Sequence, residues 1–287
     1  MARLRLSSRT GPAISIGIPI AYMVFCFLAP IFVFLVYSFW RLEGFEIIRE
    51  WTLENYVHVI QNRVYVLLIV RSMGIGAITG IVTVLLSYPV AYAMVFRMKA
   101  ERELILLLMI LSLFSSYLVR VYAWKTILGS NGVINNILIS LGLVQEPLSW
   151  LIYSKFAVIV TLTSVFLPIT VLPLYSSLMN ISYSLIEASR DLGAGAAQTF
   201  RKVTLPLSMP GVVAGFIFTF VLTAGDYVTP ALLGGNDGQL IGNSITSQFG
   251  VASNWPLGSA ITFFVVATLV ILFLLGGMMF KKLGLRG

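Results

Sequence analysis

Charge is what this sequence lacks most: 10% of its 287 residues are Asp, Glu, Lys or Arg, against roughly a quarter in an ordinary soluble domain. That scarcity, with 58% hydrophobic residues and a mean hydropathy of +0.95, implies an integral membrane protein. Cys26 and His58 are the sole cysteine and histidine. No disulfide within the chain and no zinc cluster supplied by it alone can form, and Cys26 reads as an apolar packing residue. No G-x-x-x-x-G-K-[ST] loop occurs, and the one Lys-Thr pair, Lys125-Thr126, follows Trp124, so ATP has no phosphate cradle here. Gly-x-Ser-x-Gly is missing too, which with a single histidine leaves nucleophilic catalysis unsupported. The sequence therefore reads as non-catalytic, with no metal site and no cofactor of its own.

What is abundant is apolar sequence. A spanning helix needs about 20 mainly apolar residues, and six segments meet that demand, near 14–39, 68–96, 104–124, 155–179, 210–233 and 257–280. The first is longer than the roughly 7 to 15 apolar residues of a cleaved leader, so it is expected to be retained. The expected fold is all-α and integral to the membrane, one transmembrane domain over residues 1–287 with six spans.

The net charge of +8 has two readings. A basic face with interleaved aromatics suits nucleic acid, whereas basic residues gathered at the ends of apolar runs set topology. The second pattern is the one present. Arg3, Arg5 and Arg9 precede the first run, and Arg97, Lys99 and Arg102 separate the second from the third. Arg190, Arg201 and Lys202 lie between the fourth and fifth, and Lys281, Lys282 and Arg286 follow the sixth. All fall on one side of a six-span chain, and loops that retain Lys and Arg are cytoplasmic. Both termini are expected there, with lipid rather than nucleic acid as the surrounding partner. The segment 234–256 has no basic residue, and Arg41, Arg49 and Arg63 are balanced by Glu43, Glu46, Glu50 and Glu54.

One outer loop, 125–154, is long enough to have structure of its own. Val133, Ile134, Ile137, Leu138 and Leu141 recur at helical spacing before Gly142, which predicts a short amphipathic helix in the outer interface, packed as a lid on neighbouring spans. Trp124, Trp150 and Trp255 suit an interfacial aromatic belt better than a stacking site. Pro89, Pro168 and Pro173 fall inside spans two and four, where proline either opens a cavity or only relaxes packing.

The most informative stretch lies between spans four and five. Residues 180–209 are long for a helix connection, and such loops are usually functional. Ser184 through Leu192 predicts a short helix, with Ser184 as N-cap and Glu187 completing a Ser-x-x-Glu capping box. Gly193 is placed to end it in the left-handed conformation, and a second short helix is expected through Lys202. Ala188 and Ser189 are small enough for another protein to approach closely, and Pro206 and Pro210 mark the entry to span five. Two readings stand on physics alone: a docking elbow, or a connector whose Glu187 only caps its own helix.

The spacing adds to this. Glu187-Ala188-Ser189, three residues, Gly193, nine residues, then Val203 and Leu205-Pro206 resembles the cytoplasmic-loop signature of permease subunits of bacterial ABC importers, Glu-Ala-Ala, Gly, Ile-x-Leu-Pro, with Ser for the second Ala and Val for Ile. Leu118 to Trp124, Leu128-Gly129 and Gly132 to Asn135 look like the third-span exit of the polyamine-type branch. Leu232 to Gly235, Leu240 to Asn243 and Asn254 to Ala260 resemble the last third of the first permease subunit of spermidine/putrescine importers. Similarity runs from about residue 50 to the end.

The resemblance implies the type I importer (MetI-like) permease fold with a coupling-helix elbow between spans four and five. It also implies two ATPase subunits that bind ATP and Mg, a second permease subunit, and a periplasmic or lipid-anchored solute-binding protein, in the bacterial inner membrane. Glu187, Ala188, Ser189, Gly193, Leu205 and Pro206 would then couple to the ATPase.

Ionisable residues inside spans are functional candidates. Asp226 lies near the outer half of span five, beside Thr223, Tyr227 and Thr229. Its carboxylate suits an ammonium group and Tyr227 offers a cation-π face; equally, Arg120 near the outer end of span three is placed to neutralise Asp226 in a structural pair. Tyr88 and Tyr92 either line a cavity or pack in the core, and Arg71 reads as snorkelling to the outer interface. Within the same machine the cargo is a small cationic solute such as spermidine or putrescine, or else ferric ion, an opine or an amino-acid derivative. A secondary carrier or channel would need more membrane-embedded acids than this chain has.

Overall fold

The computed structural model describes residues 10–282; Arg3, Arg5, Arg9 and Arg286, counted above for topology, lie outside them. The described chain divides into two compact units, residues 10–62 with 247–267 and residues 63–246 with 268–282.

The first unit opens with α1 (Thr10–Tyr37). None of its stretch Pro19–Tyr37 is buried, and an apolar helix bare all round is stable in lipid rather than water. Near its end the Phe34 and Tyr37 rings lie 6.2 and 6.4 Å from that of Trp255. A hairpin that periodicity did not anticipate follows, β1 (Arg41–Glu43) paired antiparallel with β2 (Glu46–Ile48). Gly44 at φ +62° supplies the left-handed backbone its tight turn requires. Arg41 bridges Glu43 at 3.0 Å and Glu50 at 3.2 Å. Then comes α2 (Glu54–Gln61), fixed by Asn55 Nδ2 donating to the Trp40 carbonyl at 2.6 Å and by Tyr56 Oη against Ser38 Oγ at 2.7 Å.

The second unit is organised around α3 (Arg63–Phe96) and two later helices, α7 (Lys155–Met179) and α10 (Leu205–Ala224). Lipid offers apolar side chains as good a home as protein does, so such helices associate through close van der Waals contact at small residues and a few hydrogen bonds. Both are present. A methyl at Gly80 would stand 2.9 Å from the Phe216 ring, and one at Gly211 would stand 2.6 Å from the Pro173 carbonyl oxygen. Thr170 Oγ1 meets Thr219 Oγ1 at 2.6 Å between α7 and α10.

The third expected span is not one helix. α4 (Arg102–Phe114) stops, and α5 (Tyr117–Leu128) restarts the chain in a new direction, the stretch Tyr117–Ser140 lying at 94° to α4. Ser115 and Ser116 between them are extended, and Ser115 Oγ donates to the Ser112 carbonyl at 2.8 Å, the local side-chain bonding by which serine competes with the helical ladder. The described residues thus contain five helices long and apolar enough to span, or six with the bent pair counted as one.

The outer-loop helix forms as expected, α6 (Val133–Ser140), ended by Gly142 at φ +69°. Its anchor is Asn135, fully buried, which donates to the Gly129 carbonyl at 3.0 Å and accepts from the Leu148 amide at 2.8 Å. Trp124 is half-buried against Val121, Leu128 and Leu233. On the same end of α3, Arg71 donates to the Asn236 carbonyl at 3.1 Å, and buried Ser72 accepts from the Ile241 amide at 2.8 Å.

The elbow is α8 (Tyr183–Asp191) followed by α9 (Ala196–Thr199). A π turn, Phe200–Thr204, carries α9 directly into α10, so that Ala196–Ala224 is one helix of 29 residues. The expected separate second helix ending at Lys202 is therefore the foot of span five, which begins earlier than 210 and ends at Ala224 instead of 233. The widened turn falls just before Pro206, whose missing N–H breaks the ordinary i to i−4 ladder at this point. The chain closes with α11 (Ile241–Phe249) and α12 (Trp255–Lys282).

Candidate functional site

At the elbow, α8 is held by one buried side chain. Ile186 packs into the cluster of Ala91, Met94, Val95, Val171, Leu174, Leu178 and Ile181, which fixes the opposite side of α8 outward. Glu187 and Ala188 are exposed, and so are Leu185 and, just beyond the helix, Leu192. Among the described residues the Glu187 side chain makes no hydrogen bond or ion pair.

The expected capping box does not form. Ser182, not Ser184, is the N-cap, with no side-chain bond to the helix; its Oγ is engaged by Ser184 Oγ at 2.7 Å. Glu187 then sits beyond the first turn, out of reach of the cap amide, and the capping account of this residue falls away. The stop is as expected. Gly193 has φ +82°, its amide donates to the Arg190 carbonyl at 2.8 Å, and the Ala194 amide donates to the Ser189 carbonyl at 3.1 Å. These are the paired bonds of a Schellman ending.

Ser189 is turned to the inside of the elbow, where its hydroxyl meets that of Thr199 at 2.9 Å. Periodicity did not single out Thr199; a signal was there in a hydroxyl pair ten residues apart on either side of a glycine stop. Leu205 and Pro206 sit at the first turn of α10, with Pro206 exposed.

At the other end of α10, the helix stops at Ala224 and Asp226 restarts it. The carboxylate accepts from the Val228 and Thr229 amides, each at 3.2 Å, which is helix N-capping. Tyr117, at the start of α5, brings its hydroxyl to Thr229 Oγ1 at 2.7 Å and lies beside the Asp226 carboxylate. Asn243 Nδ2 donates to the Tyr227 carbonyl at 2.9 Å, and the Tyr227 ring is exposed. Arg120 is not ion-paired with Asp226: its Nη1 donates to the Val165 carbonyl at 3.0 Å, and its buried Nε has no partner. Tyr117 and Asn243 were not singled out from sequence, because the break at Ser115 that aims Tyr117 inward was not foreseen.

Tyr88 belongs elsewhere. Its hydroxyl meets Ser208 Oγ at 2.8 Å and its ring stands edge-on to Phe200 at 5.7 Å, a tie between α3 and the foot of α10. From Ser208 to Ala224 the helix rises about 24 Å, so the structure does not bring Tyr88 together with Asp226. Tyr92 also packs on Phe200, at 6.0 Å.

Comparison with known proteins places these features in context. The family described as binding-protein-dependent transport system inner membrane component matches residues 77–283. The spermidine/putrescine transport system permease protein PotB of Haemophilus influenzae is 35% identical over 250 residues, 87% of each chain. PotB of Escherichia coli is 34% identical over 223 residues, 77% of this chain and 80% of its own. Among solved structures, a bacterial ABC transporter involved in import of the acidic polysaccharide alginate superposes with a TM-score of 0.70 at 18% identity, covering 96% of each chain.

Proposed function

This chain belongs to the binding-protein-dependent transport system inner membrane components, and from that premise we propose that it forms half of the translocation path of an ATP-driven polyamine importer. It is a multi-pass inner-membrane transport subunit. The observation that carries the coupling role is the elbow: a short helix whose one buried residue is Ile186, tied to α9 by the Ser189–Thr199 pair and stopped at Gly193, with the Glu187 side chain exposed and unpaired among the described residues. A helix so presented is suited to lie in a groove of another protein. The occupant of the other side is an ATPase that binds ATP and Mg, one copy on this subunit and one on a second permease. Both termini then face the cytoplasm, and a secreted binding protein delivers the solute to the opposite side. The polyamine cargo follows from the relatives named above, at 34 to 35% identity over most of the chain.

The test is uptake by proteoliposomes holding this chain with its second permease and ATPase, supplied with the loaded binding protein. ATP-dependent accumulation of radiolabelled spermidine or putrescine is expected. Accumulation of ferric ion or an amino-acid derivative in its place would reassign the cargo, and uptake without ATP would overturn the coupling.

A further inference from the structure

Beside the elbow, and distinct from its exposed docking face, lies a cleft of about 160 Å³ lined by Tyr92, Phe96, Arg97, Tyr183, Ile186, Arg190, Ala196, Thr199 and Thr204. Two guanidinium groups line it and no carboxylate does. Among the described residues the ion pairs involve Arg41 only, so Arg97 and Arg190 both have their charge uncommitted. Lys99 adds a third cation at its edge, its Nζ 5.1 Å from the centre of the Tyr183 ring. Ala196 on the wall is the first residue of the 29-residue helix Ala196–Ala224, whose Gly195 cap supplies no side-chain bond, so free amides of that first turn add to the positive field. Thr199 and Thr204, both almost fully buried, also line it.

Arg97, Arg190 and Lys99 are all exposed, three cations of one sign at the mouth of a cleft, where a bound anion relieves their mutual repulsion. Guanidinium forks match the oxygen geometry of phosphate. The position selects further: Phe96 and Arg97 are where α3 ends, and the rings of Tyr92, Phe96 and Tyr183 sit where the apolar span gives way to water, the depth of lipid headgroups.

We propose that this cleft binds a phosphate group, that of an anionic phospholipid headgroup or of a free phosphate, wedged between the end of α3 and the elbow. Its occupation braces α8 against α3 through Arg97 and Arg190, so the elbow's rigidity depends on the anion.

The experiment uses the purified full-length chain, so its outcome does not depend on whether an ATPase docks at the elbow. Native mass spectrometry reads retained lipid after extraction from vesicles of phosphatidylcholine alone or mixed with phosphatidylglycerol; calorimetry in phosphatidylcholine reads binding of inorganic phosphate. Retention of phosphatidylglycerol or binding of phosphate is expected, the first assigning the lipid and the second the soluble anion. Loss of about tenfold in affinity is expected for Arg97→Gln and for Arg190→Gln, the order of one charge-assisted bond. Arg190→Lys keeps the charge but not the fork and is expected to bind more weakly than the parent and more tightly than Arg190→Gln. Arg201→Gln, an exposed residue of the helix Ala196–Ala224 that does not line the cleft, controls for surface charge and is expected to bind as the parent does. Neither anion bound, an equal loss in Arg201→Gln, or unchanged binding in both cleft variants would each overturn the proposal.

Discussion

Ser189 and Thr199 face one another across the elbow with their hydroxyl oxygens 2.9 Å apart, at the position where the family signature carries alanine. The bond ties α8 to α9, and α9 continues without interruption into span five, so α8 is joined to the spans by a hydroxyl pair as well as by the packing of Ile186. Ser189→Ala and Thr199→Val are each expected to cost about 1 kcal/mol, the net worth of a partly buried hydrogen bond. The double variant is expected to cost little more than either single, which a thermal-unfolding double-mutant cycle measures. Solute moved per ATP is expected to fall with the same non-additivity; strictly additive losses would mean that the pair does not act as a unit.

Gly193 separates conformation from space. Its φ is +82°, yet a methyl added there would meet nothing within 4 Å. Gly193→Asn, a residue that tolerates the left-handed region, is expected to keep most uptake, whereas Gly193→Val loses roughly 1–2 kcal/mol from backbone strain alone and with it the end of α8. Uptake in vesicles with both variants inserted at equal levels decides this. Equal loss in the two would point to a partner packed on the glycine rather than to the turn.

Glu187→Lys addresses the docking face directly. The side chain is exposed and makes no ion pair within the described residues, so the fold is expected to survive the change, with unfolding temperature and membrane level near those of the parent. Uptake and co-purification of the ATPase are expected to be lost. A variant that still drives uptake would remove Glu187 from the coupling surface.

Much of this was legible in the sequence because the signals are local. Apolar runs locate helices whose environment is uniform lipid, and glycine at a helix end marks a left-handed residue, as Gly142 and Gly193 both prove. What escaped were competitions between local forces. Ser115 bonding back to Ser112 broke a run that hydropathy reads as continuous, and Ser182 took the cap that the spacing of Ser184 and Glu187 offered. Pro206, read as the entry to span five, is bridged by a π turn, so the helix reaches back to Ala196. The cluster around Asp226 depended on the first of these, since Tyr117 begins the helix that follows the break at Ser115 and Ser116.

The close seams of the core give a fourth prediction. A methyl at Gly211 would stand 2.6 Å from both the Pro173 carbonyl oxygen and Ser177 Cβ, and backbone cannot yield there as a side-chain tip would. Gly211→Ala is expected to destabilise by about 1–3 kcal/mol through overpacking. Gly74→Ala on α3, where a methyl meets nothing within 4 Å, is expected to be neutral or slightly favourable, helix propensity being the sole term. Unfolding temperatures of the two in one detergent give the comparison.

Of the two sequence readings of Asp226, attraction of an ammonium group or a structural pair with Arg120, the structure removes the second, Arg120 bonding the Val165 carbonyl instead. Both oxygens are engaged, by the Val228 and Thr229 amides at 3.2 Å, so the group already has structural work as a cap. That makes charge and capping separable. Asp226→Asn keeps an acceptor oxygen for a cap amide but loses the charge; Asp226→Ala loses both and is expected to cost about 1 kcal/mol of stability. If the carboxylate also attracts a passing polycation, the Asn variant raises KM for spermidine more than for putrescine, since more ammonium groups feel the lost charge, while its unfolding temperature stays near that of the parent. If the residue is a cap only, Asn transports both solutes as the parent does, and the Ala variant is impaired in proportion to its lost stability. Measuring uptake kinetics for both solutes, with unfolding temperatures alongside, distinguishes the two outcomes.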